Sequence, residues 1–151
     1  MQHRPIRVFI QNEAHSTTKN YHNEKTLVYR ESRAVSHPYP FPYGLVIDTE
    51  SADGCNVDCY VITDRSLRIG EILECEPLAL MEQFEDGVTD HNVLVRPLGE
   101  VGEVSVAIQQ ALTVHVLTCF RHVPEKRISV GRFLDARNAE NYLASHRAGT
   151  K

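Results

Sequence analysis

Three prolines within five residues, Pro38, Pro40 and Pro42, narrow the fold of this chain more than any other feature. Each lacks a backbone N–H and biases the residue before it, so the segment can be neither helix nor central strand. They pin an aromatic turn, Tyr39-Pro40-Phe41-Pro42-Tyr43-Gly44, which runs straight into the strand signal Gly44 to Asp48. A loop from Thr49 to Gly54 follows, then a second strand signal, Val57 to Thr63. Between the two strands lies the acidic cluster Asp53-Gly-Cys55-Asn-Val-Asp58. Carboxylates at the edge of a strand pair are well placed to converge on a common partner.

The other elements follow from periodicity and turn chemistry. Arg7 to Ile10 and Thr26 to Tyr29 carry short strand signals, with a polar, turn-like stretch from Asn12 to Thr18 between them. Gly70 to Phe84 reads as one long or bent strand, with Pro77 at an edge or bulge. A turn around Gly87 leads to a return strand, Asn92 to Val95. From Val101 the period changes: Val101, Val104, Ile108, Ala111, Leu112, His115 and Cys119 share one helical face. Arg127 to Phe133 predicts a last strand, and Asp135 predicts the N-cap of a closing helix, Ala136 to Ser145. Runs of strands with helices gathered at the end give an α+β fold, organised as one domain over residues 1–151.

Composition sets the outer bounds. Hydrophobic residues make up 42% and charged residues 24% of the 151 positions, an ordinary globular balance with material for a core. The net charge of -4 argues against a nucleic-acid partner, since phosphate-backbone binding favours a basic surface. No apolar run approaches the roughly 20 residues that span a bilayer. MQHRPIRVFIQ lacks the apolar core of a secretion signal, so a cytoplasmic location is expected. Four scattered cysteines predict reduced thiols, with Cys59, Cys75 and Cys119 in the core and Cys55 set apart by its acidic neighbours.

The run from Tyr39 to Asp58 resembles the soluble inorganic pyrophosphatases, whose pattern reads roughly YPxNYG, a short strand, then DGDPxD. The resemblance implies a small closed β-barrel of OB type with helices packed on one side, a diphosphate substrate, Mg²⁺ or another divalent ion such as Mn²⁺, and a homo-oligomer. By the same resemblance Asp53, Asp58 and Asp90 become metal ligands, and Tyr43, Asp58 and Cys55 catalytic positions. Lys19, Arg30 (or alternatively Arg33) and Arg121 become phosphate-binding positions. Lys19 also reads as an ordinary solvated lysine, and Tyr39 as aromatic packing beside the prolines.

The chain departs from the family pattern where the chemistry is concentrated. Cys55 stands at an aspartate, Gln11 at a glutamate, Tyr21 at an acidic position, Asn92 at a lysine, and Phe120-Arg121 at a Tyr-Lys pair. One metal-binding aspartate has no clean counterpart, and Gln83 or Glu85 occupies its neighbourhood. Mg²⁺ takes oxygen ligands, whereas a thiol suits softer metals. Two functions stay open: a divergent diphosphate hydrolase that is weak with Mg²⁺, and a catalytically degenerate protein kept for phosphate-ligand binding or assembly. A transition-metal site gathering Cys55, Asp90 and His91 is a third, weaker alternative.

Overall fold

The computed structural model describes residues 5–50 and 54–147. Its centre is a five-stranded barrel. Strand β1 (Ile6–Asn12) pairs with β4 (Tyr43–Val46), β4 with β5 (Asp58–Val61), β5 with β8 (Asn92–Pro97), and β8 with β6 (Ile72–Glu85). The pairing of β1 with β6 closes the ring. All these pairings are antiparallel except β5 with β8, which makes the barrel mixed. A two-residue strand, β7 (Val88–Thr89), and β9 (Ile128–Leu134) extend the long β6 beyond the barrel. Strands β2 (Thr18–His22) and β3 (Tyr29–Ala34) form a separate hairpin. Helix α1 (Val106–Thr118) packs toward β9, and α2 (Ala136–Ala144) against β6.

Strand alternation divides the apolar residues into two cores. Val8, Ile10, Val46, Cys59, Val61, Val93 and Val95 face one another from the barrel strands, and Ala139 and Leu143 of α2 join them. The opposite face of the same strands carries Tyr43, Tyr60 and Leu94, which pack with Leu112, Val116 and Cys119 at the α1 end. Residues two apart in a strand share a face, so Asp58 lies on the Tyr60 side and Asn92 on the Leu94 side, with this second core.

The long strand behaves as its proline predicts. The β6–β8 register shifts between Pro77 and Ala79, and the parity of the strand changes with it. Cys75 and Leu80 face the barrel core, whereas Ala79 and Met81 face the second core. A bulge inserts one residue and turns every later side chain to the other face. Gln83 thereby falls on the side of Asp58 and Asn92.

Both helices carry side-chain caps. Asp135 accepts from the Asn138 backbone N–H at 3.0 Å, as expected for the closing helix. Helix α1 starts later than its apolar period suggests. Ser105 caps it by accepting from Ile108 N–H at 3.2 Å, and Gly102 with φ of 150° breaks the backbone upstream.

The hairpin is the main departure from expectation. Thr26 to Val28 lie outside the strands, and only Tyr29 of the expected strand lies in β3: Asn23 Oδ1 accepts from Lys25 and Thr26 N–H, both at 3.0 Å, and Leu27 takes φ of 64°. The Asn23 side chain thus holds a turn where apolar content signals a strand. Lys19 sits within β2 opposite Arg33.

Candidate active site

One cavity lies against the second core, lined by Lys19, Tyr43, Asp58, Asp90, Gln83 and Asn92, with Tyr39, Tyr60 and His115 at its apolar side. Its floor is written in the sheet register. Leu45 pairs with Asp58, Asp58 with Asn92, and Asn92 with Met81, while Tyr43, Tyr60 and Leu94 form the adjoining row. The proline turn delivers Tyr43 to this floor, and its ring meets Tyr60 at 5.0 Å and Tyr39 at 5.4 Å.

Burial dominates the electrostatics. It pushes the Asp58 carboxyl up to about 7; Lys19 opposes the shift, Asp90 and Glu24 add to it by repulsion, and a hydrogen bond from Tyr43 opposes it. Burial likewise raises the Tyr43 phenol well above its ordinary value. His115 is pushed down to about 4, first by burial and then by His37, whose Nδ1 lies 3.2 Å from His115 Nδ1. A neutral His115 packed on Tyr39 at 4.5 Å serves as a wall of the cavity.

Lys19 is the only Lys or Arg among the described residues lining the cavity. Its ammonium sits 5.2 Å from the Tyr21 ring, 5.8 Å from Tyr43 and 5.3 Å from Phe120. Arg33 stacks on Tyr21 at 5.5 Å, on the strand that pairs with Lys19. Arg30 falls at the hairpin's register shift, exposed and away from this array. Arg121 is exposed in the turns after α1 and lines a neighbouring groove with Phe120 and Lys126. Of the two hairpin arginines, the cross-strand pair therefore brings Arg33 closer to Lys19 than Arg30.

The acidic residues divide as well. Asp58 and Asp90 share the cavity with Tyr43. Asp53 lies outside the described residues. Cys55 is exposed on the loop before β5 and is absent from the described cavity lining, so its thiol is not placed as a proton acceptor there. The grouping of Cys55, Asp90 and His91 does not form: His91 Nδ1 accepts from Gln83 N–H at 3.0 Å, and its ring packs on Phe84 and Tyr142. Among the described residues no three His, Cys, Asp or Glu side chains are grouped to hold a metal ion. Asn92 Nδ2 donates to Gln83 Oε1 at 2.5 Å, while Asn92 Oδ1, also buried, has no hydrogen-bond partner.

Gln83 and Glu85, the two residues near the missing aspartate, both line the cavity. Tyr60 and His115 escape the motif, and Tyr60 follows from parity, two positions after Asp58. His115 lies on the predicted helical face but gives no local sign that it reaches the cavity.

The family model described as inorganic pyrophosphatase matches residues 8–144. The chain belongs to the inorganic pyrophosphatase family. An inorganic pyrophosphatase of Buchnera aphidicola is 23% identical over 154 residues, covering 93% of this chain and 87% of that protein. The solved pyrophosphatase of Helicobacter pylori superposes with a TM-score of 0.87 at 19% identity, covering 94% of this chain and 91% of that one. The pyrophosphatase of Thermus thermophilus gives 0.83 at 18% identity, over 93% and 87%. The closed barrel with two helices is thus the pyrophosphatase fold, and the pyrophosphatase family generally uses divalent metal ions.

The donors here fit one such ion better than a cluster. Mg²⁺ commonly rests on one or two carboxylates plus substrate phosphates and water. Asp58 and Asp90 supply two carboxylates, the partnerless Asn92 Oδ1 is a further oxygen in the same cavity, and the third lining carboxylate, Glu85, is already ion-paired with Lys126.

Proposed function

We propose that this chain binds diphosphate in the cavity of Lys19, Tyr43, Asp58 and Asp90 and hydrolyses it slowly to phosphate. The observation that carries the reading is the meeting of these four residues, scattered over the sequence, around one cavity in a pyrophosphatase fold. Asp58 and Asp90 would hold the divalent ion, Mg²⁺ or Mn²⁺. Such an ion, when bound, polarises a phosphoryl oxygen and offsets negative charge.

The chain's own groups do the rest. Lys19 meets the phosphate oxygens with charge-assisted hydrogen bonds, and Arg33, ion-paired with Glu31 at 3.1 Å, stacks behind it on Tyr21. Asp58, facing the cavity and hydrogen-bonded by Tyr43, is placed to accept a proton from water as it attacks phosphorus and the P–O–P bridge breaks. The Tyr43 hydroxyl orients that carboxylate. Arg30, at the register shift of β3, Arg121, which lines a neighbouring groove, and Cys55 are not among the described residues lining this cavity.

Slowness follows from the lining. A single lining cation faces a polyanion, and Gln83 and Asn92 are neutral where strong catalysis would use charge. The neutral Gln83–Asn92 pair also favours a second reading, in which the site binds a phosphate ligand without turnover. In either case we infer a cytoplasmic homo-oligomer with no nucleic-acid or membrane partner. No helix among the described residues is long and apolar enough to cross a membrane.

Diphosphate binding by calorimetry, paired with phosphate release under Mg²⁺, Mn²⁺, Co²⁺ and Zn²⁺, tests both readings. Binding with release roughly 10²-fold or more below an ordinary pyrophosphatase is expected with Mg²⁺. Binding with no release under any ion supports the second reading, and absence of diphosphate binding overturns both.

A further inference from the structure

We propose that Asn92 is a metal ligand: its Oδ1, together with Asp58 and Asp90, forms a three-oxygen site for one hard divalent cation. Asn92 is 3% exposed and sits directly opposite Asp58 in the parallel β5–β8 pairing, so both side chains leave the sheet on the same face. Its amide is held by one hydrogen bond, Nδ2 donating to Gln83 Oε1 at 2.5 Å. Oδ1 is left buried and without a partner in a cavity that also holds Asp58 and Asp90, while the third lining carboxylate, Glu85, is ion-paired with Lys126 at 3.3 Å.

A buried acceptor without a donor costs about 1–3 kcal/mol, and its surroundings make the cost worse. The unprotonated oxygens of a diphosphate are acceptors and do not satisfy Oδ1. Asp58 and Asp90 are acceptors too when ionised. A divalent cation suits all three oxygens at once, which the single Lys19 ammonium of the cavity does not. Two other buried polar atoms among the described residues lack partners, Asn12 Nδ2 and His22 Nδ1. Neither residue lines this cavity.

The donor set selects the class of ion. Three oxygens suit Mg²⁺ or Mn²⁺, which complete their shells with water, over soft ions that seek sulfur. A lysine at position 92 would repel such an ion. Asparagine removes that charge and supplies an oxygen, but a weaker one than carboxylate. This site shares its cavity with the proposed diphosphate site, yet it needs no turnover to be real.

Mn²⁺ titration of the substrate-free protein, followed by calorimetry and by the paramagnetic resonance signal of free Mn²⁺, tests the assignment. Asn92→Leu should weaken Mn²⁺ binding about ten-fold or more, and the near-isosteric Asn92→Asp should tighten it about ten-fold. Asn92→Asp keeps the test open should the leucine variant fail to fold. Unchanged affinity in Asn92→Leu, an Asn92→Asp variant no tighter than wild type, or a wild-type protein that binds no Mn²⁺ would each overturn the proposal. Wild-type protein that binds Mn²⁺ with this dependence but ignores diphosphate would uphold the ligand set and refute the proposed function.

Discussion

A Cβ built on Gly44 would stand 2.1 Å from the Phe9 carbonyl oxygen. Backbone cannot withdraw from such a contact as a flexible side chain can, so β1 and β4 pair this closely only with glycine between them. Gly44→Ala should lower stability by about 1–3 kcal/mol through overpacking, read as a drop in the urea midpoint. An unchanged midpoint would show that the strand pair is looser than drawn. Asp58 carries the opposite balance. Its carboxyl is raised from 3.8 to about 7, chiefly by burial, so its ionised form burdens the fold. Asp58→Asn should therefore abolish phosphate release while raising the melting temperature of metal-free protein at pH 8. Loss of both activity and stability would mean that Asp58 is a structural residue. At this scale the sequence displayed Tyr43, Asp58, Asp90 and Lys19, because a motif ties chemistry to spacing. It left Gln83 and Glu85 as alternatives near the missing aspartate; both line the cavity, and the β6 bulge is what turns Gln83 toward it.

Among the elements, those with apolar periodicity were legible and the polar hairpin was not. The bent β6, both ends of α2 and the strands flanking the acidic loop follow from alternation, proline and capping. Every residue of β3 is exposed, so alternation had nothing to mark, and the Asn23 turn supplied a misleading apolar run just before it. Helix α1 shows a different surplus. It carries no Asp, Glu, Lys or Arg, and beyond the face holding Leu112 and Val116 it exposes Val106, Val114 and Leu117. A helix apolar on both sides is suited to burial on both sides. A second copy of this uncharged face would meet it without charge repulsion, as a two-fold interface requires. Light scattering should report an oligomer at micromolar concentration, and Val114→Asp with Leu117→Asp should reduce its mass. A monomeric wild-type protein would remove α1 as an interface.

For the whole molecule, two buried groups pull the pH dependence of stability in opposite directions. The folded pKa of Asp58, near 7, lies above its unfolded value of 3.8. Its contribution is fully present below pH 3.8 and is lost as pH rises through 7, a span worth about 4 kcal/mol. The folded pKa of His115, near 4, lies below its unfolded value of 6.5. Its contribution is present above pH 6.5 and is lost as pH falls through 4, a span worth about 3 kcal/mol. His37 at 3.2 Å and Lys19 both oppose a charge on His115, after burial itself. Between about pH 4 and 6.5 the two trends largely offset each other. Metal-free wild-type protein should then show a nearly flat denaturant midpoint across that window. Asp58→Asn should leave the histidine unopposed, with stability falling toward acid, whereas His115→Phe should leave the carboxyl unopposed, with stability rising toward acid. Parallel pH profiles for wild type and both variants would mean that neither group titrates as its surroundings dictate.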